Sequence, residues 1–211
     1  VQARLNKLGT NANKNIPKWA FVSSFNAQQL LWVEDRIKAD ETNTLRKDEI
    51  NQLLKTTSKP LIGTQTGSNY YEFKLPEDYF HYKRSTSLVP CEIRNFLKKE
   101  GDINTLLLDN HWKPSIEWGE TLCTLVGKHL RVYVDGFSIN GVNLTYYRFP
   151  QDIGMSWGSN DVNGNPTVDI DPEFTGSSLI EILNMTCELL SSDTVDQWNL
   201  QTSMNRGQKH N

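Results

Sequence analysis

Residues 129–153 read HLRVYVDGFSINGVNLTYYRFPQDI, and this stretch decides the fold of the middle of the chain. Leu130, Val132 and Val134 alternate with more polar side chains, which is typical of a strand with one buried face. A second alternating run contains Leu144 and Tyr146. The stretch therefore predicts two amphipathic strands.

Turn signals bound these strands. An Asp-Gly pair at 135–136 and an Asn-Gly pair at 140–141 are both typical of tight hairpin turns. An apolar run at Leu122–Val126 comes first, before a Gly-Lys turn at 127–128. Pro150 cannot donate to a ladder and ends the last strand. The whole pattern predicts a meander of antiparallel strands.

Helical periodicity lies on both sides of this middle. Before it, two apolar stripes predict an antiparallel helix hairpin over residues 18–60; they are Phe25, Leu30, Val33 and Ile37, then Leu45, Ile50, Leu53 and Leu54. After it, an apolar stripe from Leu179 to Leu190 predicts a helix over residues 176–193. The expected N-caps are Ser23 or Ser24 and Ser177 or Ser178.

These elements predict an α+β fold. The N-terminal helix hairpin and the C-terminal helix are expected to form a small bundle, with an inserted antiparallel β-rich lobe at residues 61–175. A polar arm (residues 1–17) and a polar tail (residues 194–211) flank them. Residues 93–118 have no clear period, so helix and strand both stay open there.

Charge and cysteine content exclude several classes of protein. Lys and Arg number 22 and Asp and Glu 25, for a net charge of −3, so the chain lacks the strongly basic balance of a nucleic-acid binder. Cys91, Cys123 and Cys187 lie far apart, which predicts reduced thiols and not a disulfide framework or a zinc site. No apolar run approaches the ~20 residues of a membrane span, so no membrane is expected as a partner.

An acidic loop raises the question of a calcium site. Asp161, Asn163 and Asn165 alternate as in an EF-hand loop. Pro166 and Pro172, however, stand where that loop needs Gly and Glu. A polar turn is the favoured interpretation.

Catalytic patterns are also missing. Asp169 and Asp171 would share one face of a short strand, but no third ligand has a fitting spacing. Ser115 lacks the GxSxG elbow. The histidines show no ligand spacing; they are His81, His111, His129 and His210. The sequence predicts no catalytic, cofactor-binding or metal-binding residue, no cofactor, and a protein that is not an enzyme.

Three tryptophans, Trp112, Trp118 and Trp157, lie in or beside turn-rich regions. Tryptophan is enriched among the anchors of protein–protein contacts, so contacts are the favoured interpretation. A surface that stacks against carbohydrate is the alternative.

Four segments carry a resemblance to a known family: VQARLNKLGTNANKNIPKWAFVSSFNAQQLLWVEDRIK (1–38), FKLPEDYFHYKRS (73–85), GKHLRVYVDGFSINGVNLTYYRFPQDI (127–153) and SLIEILNMTCELL (178–190). With them the chain resembles the ring-forming head-to-tail connector proteins of tailed bacteriophages, most closely those of the crAss-like phages. The likeness covers most of the chain and lies in structural patterns, not in a catalytic motif.

The resemblance implies a virion structural protein of the neck, made in the host cytoplasm. It would form a homo-oligomeric ring of about a dozen subunits between portal and tail, extend the DNA channel and dock the tail. The implied partners are the portal protein, neighbouring neck and tail proteins, and genomic DNA that passes without sequence-specific contact. A capsid decoration protein or a tail-tube adaptor stays open within the same resemblance.

Two other classes stay open. One is a carbohydrate- or receptor-binding β-module of a virion, which exposed tryptophans lining a groove would favour. The other is a metal-assisted hydrolase that uses Asp161, Asp169 and Asp171.

Overall fold

A computed structural model describes residues 17–42, 49–155 and 168–190. The described residues contain three α-helices: α1 (Lys18–Thr42), α2 (Ile103–Leu108) and α3 (176–190). They also contain eight strands: β1 (Leu54–Thr56), β2 (Thr64–Gln65), β3 (Tyr70–Lys74), β4 (Tyr79–Leu88), β5 (Glu92–Leu97), β6 (Glu120–Val126), β7 (His129–Tyr133) and β8 (Gly141–Arg148). The predicted mixture of helix and sheet is therefore confirmed.

The chain divides into two compact units. Unit 1 combines residues 1–51 with residues 150–211, and unit 2 is the continuous segment 52–149. Every strand of the sheet belongs to unit 2, whereas α1 and α3 belong to unit 1.

The eight strands form one sheet in the order β1-β8-β4-β5-β6-β7-β3-β2. All neighbouring pairs are antiparallel except β5 and β6, which are parallel. A parallel pair needs a long crossover connection. Here the crossover contains a 3-10 turn at Glu100–Asp102 and α2, in the region whose periodicity left helix and strand open.

The meander prediction is half right. β6 and β7 form the expected antiparallel hairpin, and Gly127 has the positive φ of 58° that its turn requires. β8, however, does not pair with β7. It lies between β1 and β4, while β7 pairs with β3.

Burial of the link between β7 and β8 explains the error. Val134 and Ile139 lie in the core, so residues 134–140 cross to another part of the sheet and do not turn back. Gly141 has no positive φ, so it is not required by a turn. Its lack of a side chain instead allows a close approach of the chain at Pro60. A Cβ at this position would lie 2.9 Å from the Cβ of Pro60, beside the bridge between Leu61 and Val142.

The sheet buries apolar residues on both faces. The main core contains residues from strands β3 and β5–β8, among them Phe73, Ile93, Leu130 and Leu144. A smaller cluster on the other face joins Ile103 of α2 to Leu122 and Tyr133. Adjacent residues of β6 divide between the faces, since Leu122 belongs to the small cluster and Cys123 to the main core.

The predicted second helix of the hairpin is wrong where the chain is described. Asn51–Leu53 forms a single 3-10 turn and Leu54–Thr56 is strand β1; residues 43–48 lie outside the described residues. Pairing with β8 favours the strand, because Thr56 meets Thr145 with 3.1 Å between their hydroxyl oxygens. The 3-10 turn still buries Leu53, and Ile50 just before it is also buried. The spacing of these apolar residues is therefore compatible with the 3-10 turn as well as with the predicted helix.

Helix α1 forms as predicted, with Phe25, Val33 and Ile37 buried. Leu30 is only half-buried, whereas Gln29 and Trp32 complete the buried stripe. The predicted serine cap is wrong because the helix begins earlier, at Lys18. The carbonyl of Pro17 accepts hydrogen bonds from the N–H groups of Ala20 and Phe21.

The terminal helix α3 also forms, with residues 191–193 outside the described residues. Ile182, Cys187 and Leu190 are buried as predicted, but Ile180 is 51% exposed. Ser177 and Ser178 lie inside the helix and not before it, so they are not its caps.

A cluster around Arg36 holds α1 to the rest of unit 1. Glu181 of α3 accepts hydrogen bonds from the Trp32 indole N–H (3.0 Å) and from Arg36 (2.6 Å). Arg36 Nε also lies 2.9 Å from Glu49 Oε2, an ion pair without hydrogen-bond alignment. The Trp32 ring packs edge-on against Phe174 at 5.0 Å between centroids.

Asp78, in the turn before β4, joins three parts of unit 2. Its carboxylate is 2.6 Å from Lys55 Nζ and accepts a hydrogen bond from the Tyr146 hydroxyl at 2.7 Å, while its backbone carbonyl accepts the N–H of Phe149. Partial burial opposes ionisation, but the bonds from Lys55 and Tyr146 outweigh it and lower the pKa of Asp78.

The main core provides a direct test of the sheet. Leu144→Ala is expected to lower the free energy of unfolding by about 2–5 kcal/mol, because Leu144 is fully buried in the central strand β8. Leu108→Ala is the matched control: this leucine is 84% exposed, so a change within about 0.5 kcal/mol is expected. Equal effects in urea denaturation would contradict the described core.

The Asp78 contacts predict a dependence on pH. A carboxyl whose pKa is lower in the folded state stabilises the fold above its unfolded pKa of about 4, and this contribution is lost as the pH falls through the folded pKa. The gap in urea midpoint between the wild type and Asp78→Asn should therefore be larger at pH 7 than below about pH 3. A gap of constant size would contradict the assignment.

Candidate functional site

The acidic residues weighed as metal ligands do not gather into a site in the described residues. Asp161, Asn163 and Asn165 lie outside them. Asp169 and Asp171 flank Ile170, whose pairing with Gly154 is an isolated bridge and not the expected strand. The described residues contain no group of three or more His, Cys, Asp or Glu side chains that could hold a metal ion.

The described histidines belong to three separate elements. His81 is in β4, His129 is in β7, and His111 is in the loop after α2; His210 lies outside the described residues. Ser115 is in the same loop as His111, where its hydroxyl oxygen accepts the N–H of Trp118 at 3.4 Å. Ser115 is therefore part of a turn.

Cys123 belongs to a group of buried and half-buried polar side chains that we call the polar core cluster: Tyr82, Ser85, Ser87, Asn95 and Cys123. Asn95 donates to Ser85 (2.9 Å) and accepts from the Ser87 hydroxyl (2.7 Å). The Tyr82 hydroxyl lies 3.0 Å from Ser85 Oγ and 3.8 Å from Cys123 Sγ. These contacts satisfy polar groups that burial would otherwise leave unpaired.

Burial also decides the chemistry of the polar core cluster. It raises the pKa of the Cys123 thiol to about 12, so the protonated, weakly nucleophilic form dominates near pH 7. Burial likewise raises the pKa of Tyr82. One sequence signal points to this cluster, because Ser85 and Ser87 alternate in β4, as the inward-facing residues of a strand do.

The loop between α2 and β6 presents two tryptophans. At its start Asp109 accepts hydrogen bonds from the backbone N–H groups of His111 (2.9 Å) and Trp112 (3.1 Å). At its end Ser115 and Glu120 exchange two backbone hydrogen bonds, and Gly119 has a φ of 68°. The loop is thus folded by its own bonds, which hold Trp112 and Trp118 at the surface.

These tryptophans border an open cavity of about 410 Å³, which we call the tryptophan cleft. Its other walls are Phe96 of β5, the start of β6, and residues 135–137 of the link before β8. Trp118 is 69% exposed and Trp112 is 43% exposed. One face of Trp112 is covered by Lys98, whose ammonium lies 4.2 Å from the ring centroid. The third tryptophan weighed from the sequence, Trp157, lies outside the described residues.

Charged groups of both signs line the tryptophan cleft. Glu120 and Asp135 contribute carboxylates, and Lys113 contributes an ammonium group. Asp135 was assigned from the sequence to a hairpin turn, so only the true course of the link brings it to this cleft. Trp112 and Trp118 were recognised as surface candidates, but nothing in the sequence placed Phe96 or Phe137 beside them.

Large apolar side chains are exposed on each unit. Unit 1 exposes Trp19 and Leu31 of α1 and Ile180 of α3. Unit 2 exposes Ile62 and Phe149, and the Phe149 ring packs against Phe80 at 4.7 Å between centroids. None of the helices in the described part of the chain has the length and apolarity to cross a membrane.

The three thiols should differ in reactivity. Cys91 is exposed, whereas Cys123 and Cys187 are buried. Brief treatment of the native protein with N-ethylmaleimide should therefore modify Cys91 alone, and treatment in urea should modify all three cysteines. Mass spectrometry of the adducts measures this, with Cys91→Ser as the control. Rapid native modification of Cys123 would contradict its burial.

No protein-family model matches the chain, and no curated protein matches it.

Proposed function

We propose that the protein is a virion structural protein that forms a homo-oligomeric ring between portal and tail, extends the DNA channel and docks the tail. The observation that carries the proposal is the exposure of large apolar side chains on both compact units. The aromatic ones among them, such as Trp19 and Phe149, are of the kind enriched in protein–protein interfaces.

Ring geometry makes this distribution meaningful. A ring closed head to tail uses a heterologous interface, in which one surface of a subunit contacts a different surface of the next. Each subunit of a ring therefore needs two distinct contact surfaces, and a third to meet the portal or the tail. Each unit exposes an apolar side chain that such contacts can use, Trp19 on unit 1 and Ile62 on unit 2.

The chain order supports the expected arrangement of a helical bundle with an inserted β-rich lobe. Unit 2 is one continuous segment between the two segments that make up unit 1. In this proposal unit 1 is the bundle and unit 2 is the lobe, although the second helix of the expected hairpin is replaced by a 3-10 turn and β1.

The charge of the chain also suits a channel wall. A net charge of −3 predicts a low affinity for DNA, because tight binding to the phosphate backbone needs clustered Lys and Arg. DNA that must slide through a ring is better served by weak contacts.

Copy number in the virion tests this function. Quantitative mass spectrometry of purified virions from a phage that encodes the chain is expected to give about one copy per portal subunit, because stacked rings with matching symmetry contain equal numbers of subunits. The portal protein in the same sample is the internal reference. A large excess over the portal would indicate a capsid decoration or tail protein instead. Absence from virions would reject the structural role.

A further inference from the structure

We propose that the tryptophan cleft binds a saccharide, specifically a short chain of neutral sugar residues. This inference goes beyond the ring function and does not depend on it. It rests on the shape of the cleft, the exposure and support of its two indoles, and its balance of charges.

The size and lining of the cleft suit a small polar ligand. A volume of about 410 Å³ falls in the range of about 300–1,000 Å³ that is usual for small-molecule sites. Its walls combine aromatic side chains with numerous polar and charged ones, a more polar lining than is usual for such sites, which suits a ligand rich in hydroxyls. The cleft is open to solvent, so a chain of sugars can extend beyond it.

Trp118 provides the main stacking surface. Its indole is 69% exposed, although burying such a ring normally contributes strongly to stability. The backbone N–H of Trp118 donates to the Ser115 hydroxyl, and the adjacent Gly119 adopts a positive φ, so the exposed position belongs to a formed turn. A sugar ring presents a face of C–H groups, which packs on an indole while its hydroxyls stay available for hydrogen bonds.

Trp112 is less available because Lys98 covers one of its faces at 4.2 Å. This contact also brings an ammonium group beside the cleft. Trp112 therefore acts as a side wall, and the loss of Trp118 should affect binding more than the loss of Trp112.

The charges of the cleft favour a neutral ligand with many hydroxyls. The carboxylates of Glu120 and Asp135 form no ion pair or hydrogen bond with any side chain in the described residues. These carboxylates can accept hydrogen bonds from the hydroxyls of a ligand, and the ammonium group of Lys113 can donate hydrogen bonds to such hydroxyls. A hydroxyl both donates and accepts, so it matches this mixture, whereas a strongly anionic or cationic ligand would meet charges of its own sign.

Ligand-observed NMR with the full-length chain provides the test. The probes are maltohexaose, cellohexaose, xylohexaose and mannohexaose, each titrated to millimolar concentration, with a heparin hexasaccharide as the charged probe and a tryptic digest of serum albumin as the peptide probe. Magnetisation transfer from the protein to at least one neutral hexasaccharide is expected to saturate as the probe concentration rises. The affinity for this probe is expected to exceed the affinity for the heparin hexasaccharide.

Variants locate the binding. Trp118→Ala should weaken binding by at least about tenfold, the loss expected for an aromatic anchor, and Trp118→Phe should weaken it less. Trp19→Ala is the matched control, because Trp19 is 65% exposed but lies in unit 1, and binding should change less than about twofold. Urea denaturation of each variant checks that the fold is retained.

Three outcomes would overturn the proposal. They are the absence of saturable transfer to every neutral probe, equal binding by Trp118→Ala and Trp19→Ala, and a preference for the heparin hexasaccharide. Transfer to the peptide probe alone, lost in Trp118→Ala, would assign the cleft to a peptide instead.

Discussion

The pairing of β8 with β4 on one side and β1 on the other is the interaction on which unit 2 depends. β8 is hydrogen-bonded along both edges and supplies Val142, Leu144 and Tyr146 to the main core. Because β8 lies away from β7, the link between them must run across the sheet, which brings Asp135 and Phe137 to the wall of the tryptophan cleft. The topology of one strand thus determines both the core and the surface that we assign to a ligand.

The polar groups of unit 2 divide between architecture and surface. Ser85 and Asn95 are buried and Tyr82 is half-buried; the three are hydrogen-bonded through Ser85, and burial keeps Cys123 beside them as a thiol. Several of the side chains that remain available for recognition, Trp118 among them, lie on loops, as is common when a rigid sheet positions binding residues.

Local periodicity predicts where the helices and strands lie better than it predicts which strands pair with one another. The alternation of Leu130 and Val132 marks β7, and helical spacing marks α1 and α3, because each pattern depends only on which face of an element is buried. Strand order depends on distant residues. The Asn-Gly pair at 140–141 therefore predicts a hairpin turn that does not form, because Gly141 is required by its contact with Pro60 and not by a turn. The cleft shows the same limit. Trp112 and Trp118 stand out in the sequence, but their companions are assembled only by the fold.

In the sequence, the two segments of unit 1 stand before and after unit 2, and this order has a consequence for synthesis on the ribosome. Trp32 leaves the ribosome long before its partner Glu181, which is 149 residues further along the chain. At about 5–20 residues per second, the delay is roughly 7–30 s. Residues 52–149 emerge during this interval and can complete their sheet, because they need no later segment. The apolar stripe of α1 must wait unpaired, and the nascent chain would then present it to the chaperones of the cell.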